Sequence, residues 1–325
     1  MGRAAPEGRP DVTEQEVQHR RRPDLARLVT LTAPLLGFGA FALLKWVDWG
    51  GARDTAARGG ENELGVWELL IAAGVFFWTI LAGAGLKALG ELNAWLPETT
   101  SASRKRWRTE TVWFVCFVYG AIALLLVLGA LAELTNSRVL PGQELKNGLL
   151  HVAAGVALLP FLVALKRIQL CAADETGWST TAKDVERIRY LRRCLRTATA
   201  SLGAVIALAV ISTGALRQAV EAAGLDALPD TYVLVYGAWL TGVLAAIYLH
   251  VFAALEARAR WIVERVAPLP DPKVSAADAF AASTGLRSEL SRELELGGDP
   301  RKNLEGLVAV LSPLGGALLS RLGGL

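Results

Sequence analysis

Stretches free of Asp, Glu, Lys and Arg alternate along the chain with strongly charged segments, and six of the uncharged stretches are long. The runs enclosed by Arg27 and Lys45, Glu68 and Lys87, Glu110 and Glu133, Lys146 and Lys166, Arg196 and Arg217, and Asp230 and Glu256 hold 17, 18, 22, 19, 20 and 25 residues. A helix rises about 1.5 Å per residue and the hydrocarbon core of a bilayer is about 30 Å thick, so all six lie in the spanning range of about 17–25 residues. One such run suits the core helix of a water-soluble protein, but six in 325 residues do not. The expected fold is all-α: a polytopic membrane protein with six transmembrane helices at about 28–48, 66–87, 111–133, 147–165, 197–217 and 231–255. These form a transmembrane domain over 28–256, between a cytosolic N-terminal tail, 1–27, and a cytosolic C-terminal helical segment, 257–325. Pro34 interrupts the first run, and Pro160 is expected to kink the fourth helix.

The basic residues set the orientation. The segments that would share a side with the N-terminus carry 28 Lys and Arg, and the opposite segments carry six. By the positive-inside rule the rich side is cytosolic, which leaves both termini in the cytoplasm. Lys45 can extend its aliphatic stem to the headgroups, and Trp46, Trp49, Trp67, Trp113 and Tyr232 sit where interfacial aromatic anchors are expected.

Three further helices are expected outside the spans. Ser179, Thr180 and Thr181 offer N-cap hydroxyls to a cytosolic helix over 181–196, where Val185, Ile188, Leu191 and Leu195 recur at helical spacing. No Gly or Pro separates it from the fifth span. The sixth span likewise continues to Pro268 with Leu255, Ala259, Ile262 and Val266 on one stripe, so the two form an antiparallel hairpin reaching about 18–25 Å beyond the bilayer. A polar helix follows from about Ser275 to Leu296, ended by Gly297 and Gly298. Asp299 and Pro300 then read as the N-cap and first residue of a C-terminal amphipathic helix. That helix carries Leu304, Leu307, Val308, Leu311, Leu314, Leu318, Leu319 and Leu322. With 15 uncharged residues between Glu305 and Arg321 it is short for a span, and it suits an interfacial helix or one docked in a groove.

Composition narrows the classes. Hydrophobic residues make up 53% of the chain, above the range of soluble domains. The net charge of +3, without a Lys/Arg block interleaved with aromatics, gives no footprint for nucleic acid. Arg outnumbers Lys 26 to 8, which with the abundant Ala, Gly and Leu points to a GC-rich bacterial source, and so to the plasma (inner) membrane. Cys116, Cys171 and Cys194 have neither metal-ligand spacing nor a paired framework. The N-terminal region lacks the small-residue cleavage signal of a secretory leader. No cofactor is expected.

Chemistry is sparse. No run holds an ionisable residue at its centre, where proton- or ion-coupled transporters keep theirs. The polar intramembrane candidates are His151, His250, Tyr236 and Tyr248, with Tyr119 and Thr241 as further polar handles. Ala238, Gly242 and Ala246 form a small-residue stripe for helix packing, and Ala153 and Ala157 form a shorter one. Asp48-Trp49-Gly50-Gly51-Ala52-Arg53 opens like the signature of CDP-alcohol phosphotransferases, but Thr55, Ala56 and Ala57 follow Asp54 where that signature needs further aspartates. The match is rejected. Phosphate-loop, zinc-helix and nucleophile-elbow motifs are absent as well.

These readings converge on a non-enzymatic, oligomeric membrane protein of channel or effector type. Its partners would be the lipid bilayer and further copies of itself, joined through the small-residue stripes and the C-terminal helix. A transporter for an apolar or lipid-like solute and a scaffold for a cytosolic partner are the alternatives.

Overall fold

The computed structural model describes residues 25–51, 61–95, 101–133, 143–174, 178, 182–224, 230–268, 277–296 and 300–322. Among them are eight helices and no strand: α1 (Leu25–Gly51), α2 (Glu61–Trp95), α3 (Ser101–Glu133), α4 (Gln143–Ala173), α5 (Ala182–Ala222), α6 (Asp230–Val266), α7 (Ala277–Glu293) and α8 (Pro300–Leu322). Five of these, α1, α2, α4, α5 and α6, are long and apolar enough to cross a membrane. The third expected span falls in α3, whose side chains are described only as far as Leu124. The N-terminal tail, the side chains of Lys45, Trp46 and Trp49, the segment Asp48 to Arg53 and the Ser179–Thr181 caps lie outside what the structure describes.

Hydrophobic burial explains only part of this packing, because many large apolar side chains point outward. Phe38 on α1 is 80% exposed, Phe117 on α3 76% and Val152 on α4 65%. Such a surface is compatible with an apolar solvent, and lipid does not itself drive apolar helices together. Close backbone approach does that work here. A Cβ at Gly83 would collide with Thr30 Oγ1, and one at Gly37 would lie 2.9 Å from Phe76 Cβ, so α1 seats against α2 on two glycines. Pro160 stays inside the uninterrupted α4, and its ring is received by Gly85 of α2, where a Cβ would sit 2.9 Å from Pro160 Cγ.

The C-terminal helix docks on a different face from the one its leucines suggest. Gly306, Val310, Pro313, Gly316 and Ala317 are buried, whereas Val308, Leu311, Leu318 and Leu319 are 60%, 42%, 45% and 62% exposed. Gly203 of α5 meets the Ala309 carbonyl, Gly237 of α6 meets Pro313 and Ala317, and Gly316 meets Ala207. Helix α8 therefore lies lengthwise along α5 and α6, beside residues of the fifth and sixth uncharged runs. Pro313 removes the amide that would serve the Ala309 carbonyl, and the Ser312 hydroxyl donates to that oxygen instead, at 2.8 Å.

At 41 and 37 residues, α5 and α6 are about 62 and 56 Å long, well beyond a bilayer core. Their overhanging halves bury Ile188, Leu191 and Leu195 on α5 and Leu255, Ala259 and Ile262 on α6 in the common core. Helix α7 ends on this platform, earlier than Gly297-Gly298 suggests. Glu295 takes the left-handed conformation (φ 53°), with Leu296 N–H donating to Ser291 O at 2.7 Å and Glu295 N–H to Arg292 O at 3.0 Å. This is a Schellman turn with Glu in the place Gly usually fills, at a cost of about 1–2 kcal/mol. Arg192 Nη1 donates to the Glu295 carbonyl at 2.9 Å and Arg196 Nη1 to its carboxylate at 3.0 Å, which offsets that cost and ties α7 to α5.

The seat of α8 is testable. Gly203→Val forces a side chain into the Ala309 carbonyl and should cost about 1–3 kcal/mol, read as a lowered Tm in detergent. The same change at Gly242, where nothing lies within 4 Å of an added Cβ, should leave Tm unchanged. Equal melting of the two variants would contradict the docking.

Candidate functional site

Helix α3 is held to the bundle at two separated levels. At its charged end Glu110 accepts from Arg106 Nε at 2.8 Å and lies 3.5 Å from Lys166 Nζ of α4. The hydrogen bond from Arg106, aided by the Lys166 charge, keeps the Glu110 carboxyl below the usual carboxylate range. Lys166 also lies 5.8 Å over the Phe114 ring. Nine residues further along, about 14 Å of helix, the Tyr119 hydroxyl donates to the Gly155 carbonyl of α4. A Cβ at Gly155 would lie 3.4 Å from the Tyr119 ring, so ring and helix backbone are in direct contact here.

Between and beyond these ties α3 leaves a cleft of about 140 Å³ against α4, α5 and α6. Its walls are Ile122, Leu158, Val205, Ile206, Ala209 and Leu240, with Ala154 and Gly155 on α4 and the exposed Ala123 at the rim. Three polar side chains reach it: Tyr119, His151 and Tyr236. His151 Nδ1 lies 2.7 Å from the Asn147 carbonyl, an oxygen that can only accept. Nδ1 therefore carries the proton and Nε2 of the neutral ring has a free lone pair. Tyr236 is 5% exposed and stacks parallel on Tyr232 at 6.4 Å.

Of the four polar candidates read from the sequence, the structure brings His151 and Tyr236 together and leaves the other two elsewhere. His250 is exposed on the outside of α6. Tyr248 stacks on Phe252 at 5.8 Å and faces Gly306 of α8. Ala238, Gly242 and Ala246 are all exposed, so within this chain α6 packs through Gly237 instead. On α4, Ala157 is buried and Ala153 half-buried.

Two polar assemblies escaped the sequence reading. Lys146 Nζ donates to Glu68 Oε1 at 2.6 Å with both side chains fully buried, and the Trp67 ring lies 5.6 Å from the ammonium. Each residue delimits one uncharged run, and equal depth at the starts of two parallel helices is the only hint that they pair. The second assembly closes the end of α4. Trp178 Nε1 donates to Cys171 O at 3.2 Å, and Arg258 of α6 donates to Ala172 O at 2.8 Å and Asp174 O at 3.0 Å. Arg187, Trp178, Arg258, Trp261 and Arg265 form an alternating stack with guanidinium-to-ring distances of 4.9–5.4 Å. Carbonyls left over at a helix C-terminus are thereby satisfied by cationic donors, as the helix dipole favours.

Among the described residues no group of three or more His, Cys, Asp or Glu could hold a metal ion. Cys116 is exposed, Cys171 buried and Cys194 half-buried, and none is in a disulfide. Compared with known proteins, the chain matches no family model, no curated protein and no solved structure.

Breaking the Lys146–Glu68 pair should be costly and removing it whole should not. Lys146→Met alone strands a buried carboxylate at about 3–5 kcal/mol, whereas Glu68→Leu combined with Lys146→Met regains most of that loss. Thermal unfolding in detergent checks this, and a single variant as stable as the parent would exclude a tightly paired buried site.

Proposed function

We propose that the chain is a six-span membrane protein that takes an apolar, lipid-like solute from the bilayer into the cleft behind α3, as a transporter or carrier does. The cleft supports this reading. It is almost wholly apolar, it has an exposed rim residue in Ala123, and among the described residues its α3 wall is tied to α4 at Glu110 and at Tyr119. Apolar pockets with a few convergent polar groups are the usual form of small-molecule sites.

In this proposal α1 to α6 cross the inner membrane with the Lys/Arg-rich side cytosolic, so the N-terminal tail, α7 and the overhanging halves of α5 and α6 face the cytoplasm. Helix α8 enters the bilayer from that side, with Leu311, Leu318 and Leu319 toward lipid and Gly306 and Gly316 toward α5 and α6. This departs from a cytosolic placement of the whole segment 257–325, because the partners of α8 include Ala207, Gly203 and Gly237 of the uncharged runs.

An alkyl-diazirine probe added to the reconstituted protein should label Ala209. This residue lines the cleft and is 6% exposed, and lipid outside the bundle does not reach it. Ile206→Trp should fill the cleft and suppress this labelling about tenfold while lipid-facing adducts persist. Adducts confined to outward residues such as Phe38 and Phe117 would refute the reading.

A second reading, an oligomer of channel or effector type, is favoured by one observation: Ala238, Gly242 and Ala246 form a fully exposed small-residue face on α6. Gly242→Cys should then form a disulfide-linked dimer under mild oxidation in membranes. A monomer that resists oxidation would remove that reading.

A further inference from the structure

The polar groups of the cleft specify more than an apolar guest. We propose that it selects a lipid-like molecule with a single hydroxyl head, a long-chain alcohol, held between His151 Nε2 and the Tyr236 hydroxyl. This rests on the cleft being a binding site and adds the chemistry of its head group.

His151 has spent its Nδ1 proton on the Asn147 carbonyl, so its Nε2 can only accept. Tyr119 has spent its hydroxyl proton on Gly155. Tyr236 lines the same cavity, is 5% exposed, and carries a hydroxyl that can both donate and accept. A guest that bonds to the polar groups of an apolar cavity is favoured over one that leaves them unbonded. The cleft thus presents acceptors at His151 Nε2 and the Tyr119 oxygen and, in Tyr236, one group that both donates and accepts. An alcohol oxygen matches His151 and Tyr236, donating to the first and accepting from the second. An ether can accept but cannot serve His151. A carboxylate would bring a charge into walls that carry no Lys or Arg.

The size fits a head and the first part of a tail. A volume of about 140 Å³ equals that of roughly five waters. A second, narrower crevice lined by Leu162, Leu202, Leu244 and Ile247 shares Ile122, Leu158, Ile206 and Leu240 with the first. A chain leaving the head group therefore has a continuous apolar track along α3, toward the end of α4 that carries Lys166.

Competition against diazirine labelling of Ala209 tests the assignment, with 1-decanol, its methyl ether and decanoate as probes. Decanol should compete at about tenfold lower concentration than either of the others, the worth of one well-made hydrogen bond. Tyr236→Phe and, separately, His151→Leu should erase that preference while Ala209 is still labelled. Tyr119→Phe should retain it. Equal competition by the three probes, or a preference for decanoate, would overturn the alcohol assignment and leave the cleft as an apolar site. No labelling of Ala209 in the parent protein would remove both the assignment and the reading beneath it.

Discussion

Helices whose outward faces are phenylalanine, leucine and valine cannot be gathered by the hydrophobic effect when the surrounding solvent is equally apolar. What remains is dispersion, which falls steeply with distance, and a few polar contacts made strong by the low dielectric. Both favour backbones that approach closely. The structure meets this demand with glycine at nearly every tight crossing: Gly37 and Gly83 between α1 and α2, Gly85 under Pro160, Gly203, Gly237 and Gly316 around α8. Each absent Cβ admits a neighbouring chain by the few tenths of an ångström on which the contact energy depends. Gly242, facing open space, shows that glycine on an apolar helix is not by itself a packing residue.

Polar interactions are concentrated where those packed surfaces end. Lys146 and Glu68 join α2 to α4 at one level, and the Arg258–Trp178 cap closes α4 at the other. The Arg192, Arg196 and Glu295 contacts then fasten α7 to the same platform. A guanidinium that donates to carbonyls at the end of a helix while stacked on indole rings fixes position and direction together, which a methyl contact does not. The order of the apolar bundle is thus set at its ends and transmitted along stiff helices.

Properties carried by single residues in runs were legible in the sequence. The long apolar helices appear where the uncharged stretches lie, because exclusion of charge from lipid is a local rule that needs no knowledge of partners. Direction of packing was not legible. The leucines of α8 suited an interfacial or groove-docked helix without saying which face would dock; it docks by Gly306, Gly316 and Ala317, while Leu311, Leu318 and Leu319 stay exposed, as an apolar solvent permits. The same reasoning explains why the Ala238–Ala246 stripe stands exposed while Gly237, one residue away, is buried. His151 and Tyr236 were visible singly as polar residues in apolar runs. Their convergence on one cavity depends on the placement of α4 against α6, which no spacing within either run encodes.

Helix α3 is where these constraints leave slack. Among its described side chains the inward face is Val118, Ile122 and half-buried aromatics, without the glycine crossings that draw α1 onto α2 or α8 onto α5, so nothing there draws it closely onto its neighbours. Tyr119 spans the remaining distance with a ring instead of a close backbone contact, and a ring acts as a spacer as well as a tie. The space behind it is lined by side chains that lipid could wet, at a depth where water would find little to bond. A gap of that composition, with Ala123 exposed at its rim, has the size and lining to admit an apolar molecule without displacing any bonded polar group.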